Sequence, residues 1–294
     1  MTKRFYYGGQ AVIEGVMMRG QRAVVTAVRQ PDGEVVIDTQ PLPSIYIGKL
    51  RKAPLIRGVI VLIETMVLGI KSLLYSANVS MGEEQVSGKA VGGMVAGSLA
   101  FAVALFFIAP LFLARLLNPY IQSSIIFHLI EGFIRMAIFI AYLKVLTFIP
   151  DIKRVFAYHG AEHKAVNTYE AGLPLEVGAA RKYSTAHVRC GTSFLFIVLI
   201  IAIIIFAIIG RPSLWLMVLW RIVLIPVIAG LGYEVTQFSA RHTKNSFVKA
   251  SLAPGLWLQR LTTREPDDSQ LEVALSALTK AVEIDQVEEA AQAR

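Results

Sequence analysis

The sequence predicts an α-helical integral membrane protein with four transmembrane helices. One further amphipathic or re-entrant helix and a small N-terminal β-rich cytoplasmic cap complete the expected fold. Three observations carry that expectation. Of 294 residues, 55% are hydrophobic and 17% charged, and the mean hydropathy is +0.57; globular chains hold roughly 45–50% apolar and about 25% charged residues. Four long apolar runs occupy the middle and later chain. The basic residues gather in the stretches between and outside those runs. This composition excludes both an ordinary soluble domain and a disordered chain. The net charge of +8 suits cytoplasmic loops at a membrane. No aromatic–basic interleaving accompanies it, so nucleic acid is not an expected partner. The single cysteine, Cys190, forms no internal disulfide, which fits a reducing compartment and leaves a thiolate ligand available.

In chain order, Met1 to Tyr7 carries two positive charges but leads into Gly8, Gly9, Gln10 and Glu14 rather than an apolar stretch, so it does not read as a targeting peptide. Residues 1–48 form the β-rich cap. Arg22 to Arg29 and Glu34 to Thr39 both alternate, and Pro31-Asp32-Gly33 between them is turn chemistry, so a hairpin is expected. Tyr6 to Met18 adds strands, and Gly8-Gly9 suggests a bend or a close backbone approach.

The apolar runs are Ala90 to Ala114, Ile121 to Ile149, Thr192 to Gly210 and Leu214 to Tyr233. Spanning a bilayer takes roughly 20 such residues, so each qualifies. Leu55 to Tyr75 differs, because Arg57, Glu64 and Lys71 recur at steps of seven and charge one helical face; such a helix lies on a membrane or closes a cavity. Loop charge decides the topology. Lys3, Arg4, Arg19, Arg22, Arg29, Lys49, Arg51 and Lys52 precede the first run. Lys153, Arg154, Lys164, Arg181, Lys182 and Arg189 lie between the second and third, and Arg241, Lys244, Lys249, Arg260 and Arg264 follow the last. With four spans and residues 55–75 on the cytoplasmic side, all three stretches and both termini lie inside. The expected division is a cap at 1–48, a membrane domain at 49–260 with a site-bearing loop at 150–192, and a C-terminal cytoplasmic helix and tail at 261–294. In the tail, Pro254 to Trp257 reads as an interfacial turn with an aromatic anchor. Ser269 and Glu272 have capping-box spacing ahead of Leu271, Leu275, Leu278 and Val282, and the end from Glu288 to Arg294 reads as frayed.

The chemistry-bearing string is Tyr158 to Glu170, YHGAEHKAVNTYE. His159 and His163, four apart, share a helical face, and both imidazoles reach one cation. Glu162 completes H-x-x-E-H, the order of inverted zinc proteases, in which two His hold Zn²⁺ and the Glu is the base. His187 and Cys190 add an H-x-x-C pair in the same loop. Four protein ligands make a closed structural site, and three leave an open catalytic position. Zn²⁺, or another divalent transition metal, is the expected cofactor. Glu162 is either the catalytic base, a group orienting a His, or a surface charge paired with Lys164 or Lys182.

Other polar groups carry weaker signals. His128, Glu131 and Arg135 line one face of the second run, as a functional group within the bundle or as a packing pair of Glu131 with Arg135. Glu14 and Arg19 are placed to reach the metal loop from the cap, or to belong to a glycine-punctuated strand pair. Glu234 and His242 are further ligand candidates or interface anchors. Val91-Gly92-Gly93 lacks the Lys-Ser/Thr of a phosphate loop, and no serine nucleophile elbow is present.

GGQAVIEGVMMRG (Gly8 to Gly20), YHGAEHKAVNTYE, RCGTSF (Arg189 to Phe194) and PGLWLQRLTTREPDD (Pro254 to Asp268) together resemble the YqhQ-like family of bacterial membrane proteins. The resemblance runs to about Asp285. It implies a multi-pass protein of the bacterial inner membrane and a predicted metal-dependent enzyme. One departure is local: Val188 stands where a Pro is expected between His187 and Arg189. Two functions follow as expectations. One is a cytoplasm-facing metal hydrolase acting on a membrane-associated peptide or lipid-linked substrate. The other is a non-catalytic membrane assembly or biogenesis factor with a structural metal clip and a protein partner.

Overall fold

The computed structural model describes residues 5–48, 51, 53–81, 88–242 and 245–292. Lys3, Arg4, Lys49, Lys52 and Lys244 of the basic stretches, and residues 293–294 of the tail, lie outside the described residues.

The chain opens with four short strands: β1 (Gly8–Val12), β2 (Gly15–Arg19), β3 (Ala23–Arg29) and β4 (Val35–Pro41). They pair as an antiparallel meander in the order β1-β2-β3-β4. The β3–β4 hairpin closes where its turn residues require. Gly33 takes φ +94°, Gln30 N–H donates to Glu34 O, and the Asp32 carboxylate accepts from Glu34 N–H.

The sheet is covered on both faces. Helix α1 (Ile56–Met81) packs on one face, where Leu68 meets Val12, Met17 and Val24, and Ser72 hydrogen-bonds Thr26 at 3.0 Å. Helices α5 (Pro150–Ala171) and α11 (Asp268–Gln292) cover the other. There Val16, Met18, Val25 and Ala27 share a core with Tyr158, Ala161, Ala165, Leu271, Ala274 and Leu278. The four strands, α5 and α11, separate in the chain, thus build one packing unit. Double cover is the reason β3 is buried through six consecutive residues. The Arg57–Glu64–Lys71 face of α1 divides accordingly. Glu64 is buried against Arg19 and Arg51, Arg57 pairs with Glu234, and Lys71 is exposed.

The apolar part is mostly helical. Helices α2 (Gly88–Val103) and α3 (Ala109–Arg115) join through a π turn at Ala104–Ile108 into one apolar rod, Lys89–Arg115. α4 (Ser124–Leu146) and α7 (Gly191–Ile209) are further helices of spanning length. By length and composition α1 also qualifies, so among the described residues four helices pass and a fifth arises if a bent pair counts as one. That pair is α8 (Leu214–Val223) and α9 (Ile225–Arg241), which meet at 48°. The expected straight span from Leu214 to Tyr233 is therefore broken. Pro226, in the first turn of α9, has no N–H to continue the α8 ladder. α6 (Val177–Ala180) is a single turn in the loop after α5.

Two local expectations in the tail change. Pro254 to Trp257 is not a turn but lies inside α10 (Ser246–Thr262), although Trp257 is exposed as an anchor would be. The cap of α11 sits two residues earlier than Ser269–Glu272. Asp267 Oδ1 accepts from Gln270 N–H at 2.9 Å, and Gln270 Oε1 accepts from Asp267 N–H at 3.0 Å, a reciprocal capping box. Glu272 pairs with Arg29 instead.

Candidate metal centre

Helix α5 begins with Pro150 in its first turn and ends at Gly172, φ +75°. Within it, His159 and His163 lie one turn apart with ring centroids 4.4 Å from each other. Each ring has its Nδ1 on a backbone carbonyl, His159 on Thr262 O at 2.8 Å and His163 on Thr185 O at 2.6 Å. A carbonyl only accepts, so Nδ1 carries the proton and Nε2 is left with a free lone pair. This carbonyl-backed tautomer is the usual support of a metal-binding imidazole.

Cys190 supplies the third group. Its Sγ lies 3.3 Å from His159 Nε2 and accepts from Thr192 N–H at the start of α7, an end at which negative charge is favoured. One ligand atom from each of His159, His163 and Cys190 falls within 4.8 Å of the others. Ligands at 2.0–2.3 Å around a tetrahedral Zn²⁺ stand about 3.5 Å apart. The donor set, two imidazole nitrogens and one cysteine sulfur, is of the types zinc takes, and the pair of Cys190 Sγ with His159 Nε2 at 3.3 Å has that spacing.

His187 stands outside this trio. Its ring centroid is 5.8 Å from that of His163, but its Nε2 faces Glu170 at 3.5 Å and its Nδ1 accepts from Arg189 N–H at 3.4 Å. Burial pushes the Glu170 carboxyl up, yet hydrogen bonds from His187 and Arg189 outweigh that and hold it at about 2. Glu162 is buried on the same helix. Its Oε1 accepts from Gly9 N–H at 2.8 Å, and its Oε2 lies 3.5 Å from His163 Nε2. The alternative pairings with lysine are not made. Lys164 goes to Glu265 at 2.6 Å and to Arg181 O, and no bond joins Glu162 to Lys182.

Residues that carry no metal-ligand signature assemble the site. Gly9 permits the approach of β1, because a Cβ there would sit 2.2 Å from Met17 O and 3.1 Å from Glu162 Cγ. Gly160 does the same for the segment after α10, since a Cβ would lie 2.1 Å from Arg264 O. Gln259, fully buried, accepts from His187 N–H at 2.9 Å and donates to His187 O and Ser193 Oγ, both at 2.8 Å. It clamps the ligand loop to α10. Glu14 and Arg19 do not reach the ligands. Glu14 takes φ +50° in the β1–β2 turn and meets Arg154 and Tyr158, while Arg19 binds Glu64 and Tyr46 O. Burial, with the Glu14 carboxylate second, raises Tyr158 above the usual phenol range. Glu234 is taken by Arg57, and His242 Nδ1 by Phe238 O.

In the bundle, the Glu131–Arg135 pair expected from spacing is present at 2.5 Å and gains a third member. Arg221 donates to Glu131 through Nε at 3.1 Å and through a terminal nitrogen at 2.5 Å. The bend between α8 and α9 follows three residues later.

Comparison with known proteins gives a consistent placement. Residues 53–284 match the family described as "Protein of unknown function (DUF1385)". The chain is 36% identical over 303 residues to the "Uncharacterized protein YqhQ" of Bacillus subtilis (strain 168), covering 96% of this chain and 94% of that protein. No solved structure matches. The shared length, from the cap through α11, makes this chain a member of the DUF1385, or YqhQ-like, family.

Proposed function

We propose that the protein is a multi-pass bacterial inner-membrane hydrolase whose His159, His163 and Cys190 hold a divalent transition metal, Zn²⁺ first, on the cytoplasmic side. The observation that carries this reading is the pair of Nδ1–carbonyl bonds, which leave both Nε2 atoms free of backbone acceptors, with the Cys190 sulfur 3.3 Å from that of His159. A metal of this kind supplies Lewis acidity, which polarises a carbonyl or phosphoryl group and makes water acidic near neutral pH. With three protein ligands the fourth position is open to substrate.

Glu162 is the base. Gly9 N–H fixes one of its oxygens and leaves the other beside His163 Nε2, where it accepts a proton. His187 and Glu170 line the next position and orient the loop. Positive loop charge supports the orientation, with residues 150–192 and both termini inside. A site against apolar helices suits a membrane-associated peptide or a lipid-linked substrate.

A second reading has one observation in its favour. The Glu162–Gly9 bond ties the cap to α5, as a structural metal clip in a membrane assembly factor would require. Metal analysis of the purified full-length protein tests the site. About one metal per chain is expected in the wild type and none in His163→Ala. Glu162→Gln separates the two functions: loss of hydrolysis with metal and fold retained supports the hydrolase, and unaffected function supports the clip. Metal absent from the wild type overturns both.

A further inference from the structure

The two edges of the sheet are finished differently. β1 forms one edge and β4 the other. On the β1 edge the outward backbone donors are taken by the helices that cover the sheet. Gly9 N–H donates to Glu162 Oε1 at 2.8 Å, and Ile13 N–H to Ser76 Oγ at 3.1 Å. The β4 edge has no such cover. Gln30 N–H donates to Glu34 O and Leu42 N–H to Arg22 O, which brackets the pairing of β4 with β3. Residues of an antiparallel strand direct their N–H and C=O alternately toward the partner and away from it. The register between those two bonds therefore turns Val36, Asp38 and Gln40 toward β3, and Val35, Ile37 and Thr39 outward. Among the described residues nothing bonds these three outward N–H groups. Pro41 has no N–H and ends the open stretch.

An apolar trench of about 460 Å³ runs beside this open edge, between β4, α11 and the loop that carries α6. Ile37, Leu175, Val177 and Leu275 supply its apolar wall, and Ile37 is 40% exposed there. Its rim is acidic. Glu176, Glu272 and Glu283 stand on it with one cation, Lys280. Glu272 is met by Arg29 and Glu283 by Lys280 at 3.4 Å, while Glu176 makes no ion pair among the described residues. Arg181, near in the chain, is neutralised by Asp268. One carboxylate is thus in excess on a chain whose net charge is +8. An exposed apolar edge with free donors is a template for another strand, and proteins otherwise block such edges.

We propose that the β4 edge and its trench take up an extended basic peptide segment of a partner protein as a fifth strand. The outward groups of Val35, Ile37 and Thr39 supply backbone hydrogen bonds, as in other strand additions. Val35 already packs on the α5–α11 core and Ile37 lines the trench, so alternate side chains of the added strand enter on that same face. The trench selects apolar residues at those positions, and Glu176 selects Lys or Arg beside them. A second copy of β4 fits less well, because it brings the same carboxylates to the rim. The site lies at the opposite edge of the sheet from the Gly9–Glu162 bond and does not rest on the metal centre.

The test pans full-length protein in lipid nanodiscs against displayed random dodecapeptides, with Thr39→Pro protein as counter-selection. That substitution deletes one outward N–H and no bond to β3, so melting should match the wild type. Peptides kept by the wild type and lost by the variant are expected to alternate apolar residues and to carry net positive charge. A synthetic copy should bind Thr39→Pro about fivefold more weakly, the loss of one net hydrogen bond, and Glu176→Lys several-fold more weakly. N-methylation of alternate peptide amides should abolish binding in one parity and spare it in the other. Should Thr39→Pro melt below the wild type, Ile37→Lys, which alters only an exposed side chain, takes its place in the selection. Peptides that do not distinguish wild type from variant, that are acidic or that tolerate methylation in both parities overturn the proposal. So does a wild-type dimer, seen by light scattering, that Thr39→Pro converts to monomer, since it assigns the edge to a second copy.

Discussion

Gln259 holds three hydrogen bonds on one fully buried amide, two to the backbone of His187 and one to Ser193. Truncation leaves those partners unpaired in the interior. Gln259→Ala should cost about 2–4 kcal/mol, read from chemical unfolding in detergent, and should weaken metal retention through the ligand loop. Glu170 gives a pH prediction with a definite sign. Its folded carboxyl, held at about 2 by His187 and Arg189 against the opposing effect of burial, lies below the ordinary 4.5. The stability it contributes is present above about 4.5 and is lost as pH falls toward 2. Glu170→Gln should flatten that part of an acid-unfolding curve. At this scale the sequence showed what spacing can show. His159, Glu162, His163 and Cys190 stand out because four-residue steps put side chains on one face and ligand types are few. Gln259, Gly9 and the carbonyls of Thr185 and Thr262 did not, because a buried amide or a backbone group has no signature until distant segments meet. The same limit hid the joining of Arg221 to Glu131, which lie 90 residues apart in the chain.

Among the elements, α11 reaches the β2–β3 turn through the Asp285 carboxylate. Asp285 accepts from Tyr7 OH at 2.8 Å, from Gln21 N–H at 2.8 Å and from Arg22 N–H at 3.3 Å. Asp285→Ala should cost about 3 kcal/mol and should open the β2–β3 turn to limited proteolysis before any other part of the sheet. Unchanged cleavage there would count against this role. The hairpin around Pro31-Asp32-Gly33 was readable because its turn chemistry is local. The π turn and the true position of the α11 cap were not, since Asp267 and Gln270 compete with Ser269 and Glu272 at equal spacing. Pro226 was a visible signal for the α8–α9 break, overridden by the unbroken hydropathy around it. The face of α1 is the sharpest case. A charged stripe on an apolar helix marks a membrane surface and the cover of a sheet equally well, and only the position of Thr26 beside Ser72 separates them.

For the whole molecule, the arrangement fixes which parts lie together. The His159–His163–Cys190 cluster, the sheet, α5 and α11 gather at one end of the apolar helices. The turns at Asn118 and Ser213 lie at the other, where Arg211 bridges Asn118 Oδ1 and Ile121 O. In a Cys190→Ser background, single cysteines at Asn118 or Ser213 should react with a membrane-impermeant maleimide in intact cells, and cysteines at Lys182 or Asp267 should react only after lysis. The reverse pattern would remove the inward-facing site.

The sheet sandwiched between α1 and α11 has a further consequence, for the order of synthesis. Strands β1–β4 leave the ribosome before the apolar helices, while one of the layers that covers them is translated only after all of those helices have been made. Until then Val16, Met18, Val25 and Ala27 have no α11 to rest on. Nascent chains stalled before Asp268 should accordingly hold the early strands in a protease-sensitive, chaperone-bound state, and release into a resistant form should coincide with emergence of the final helix.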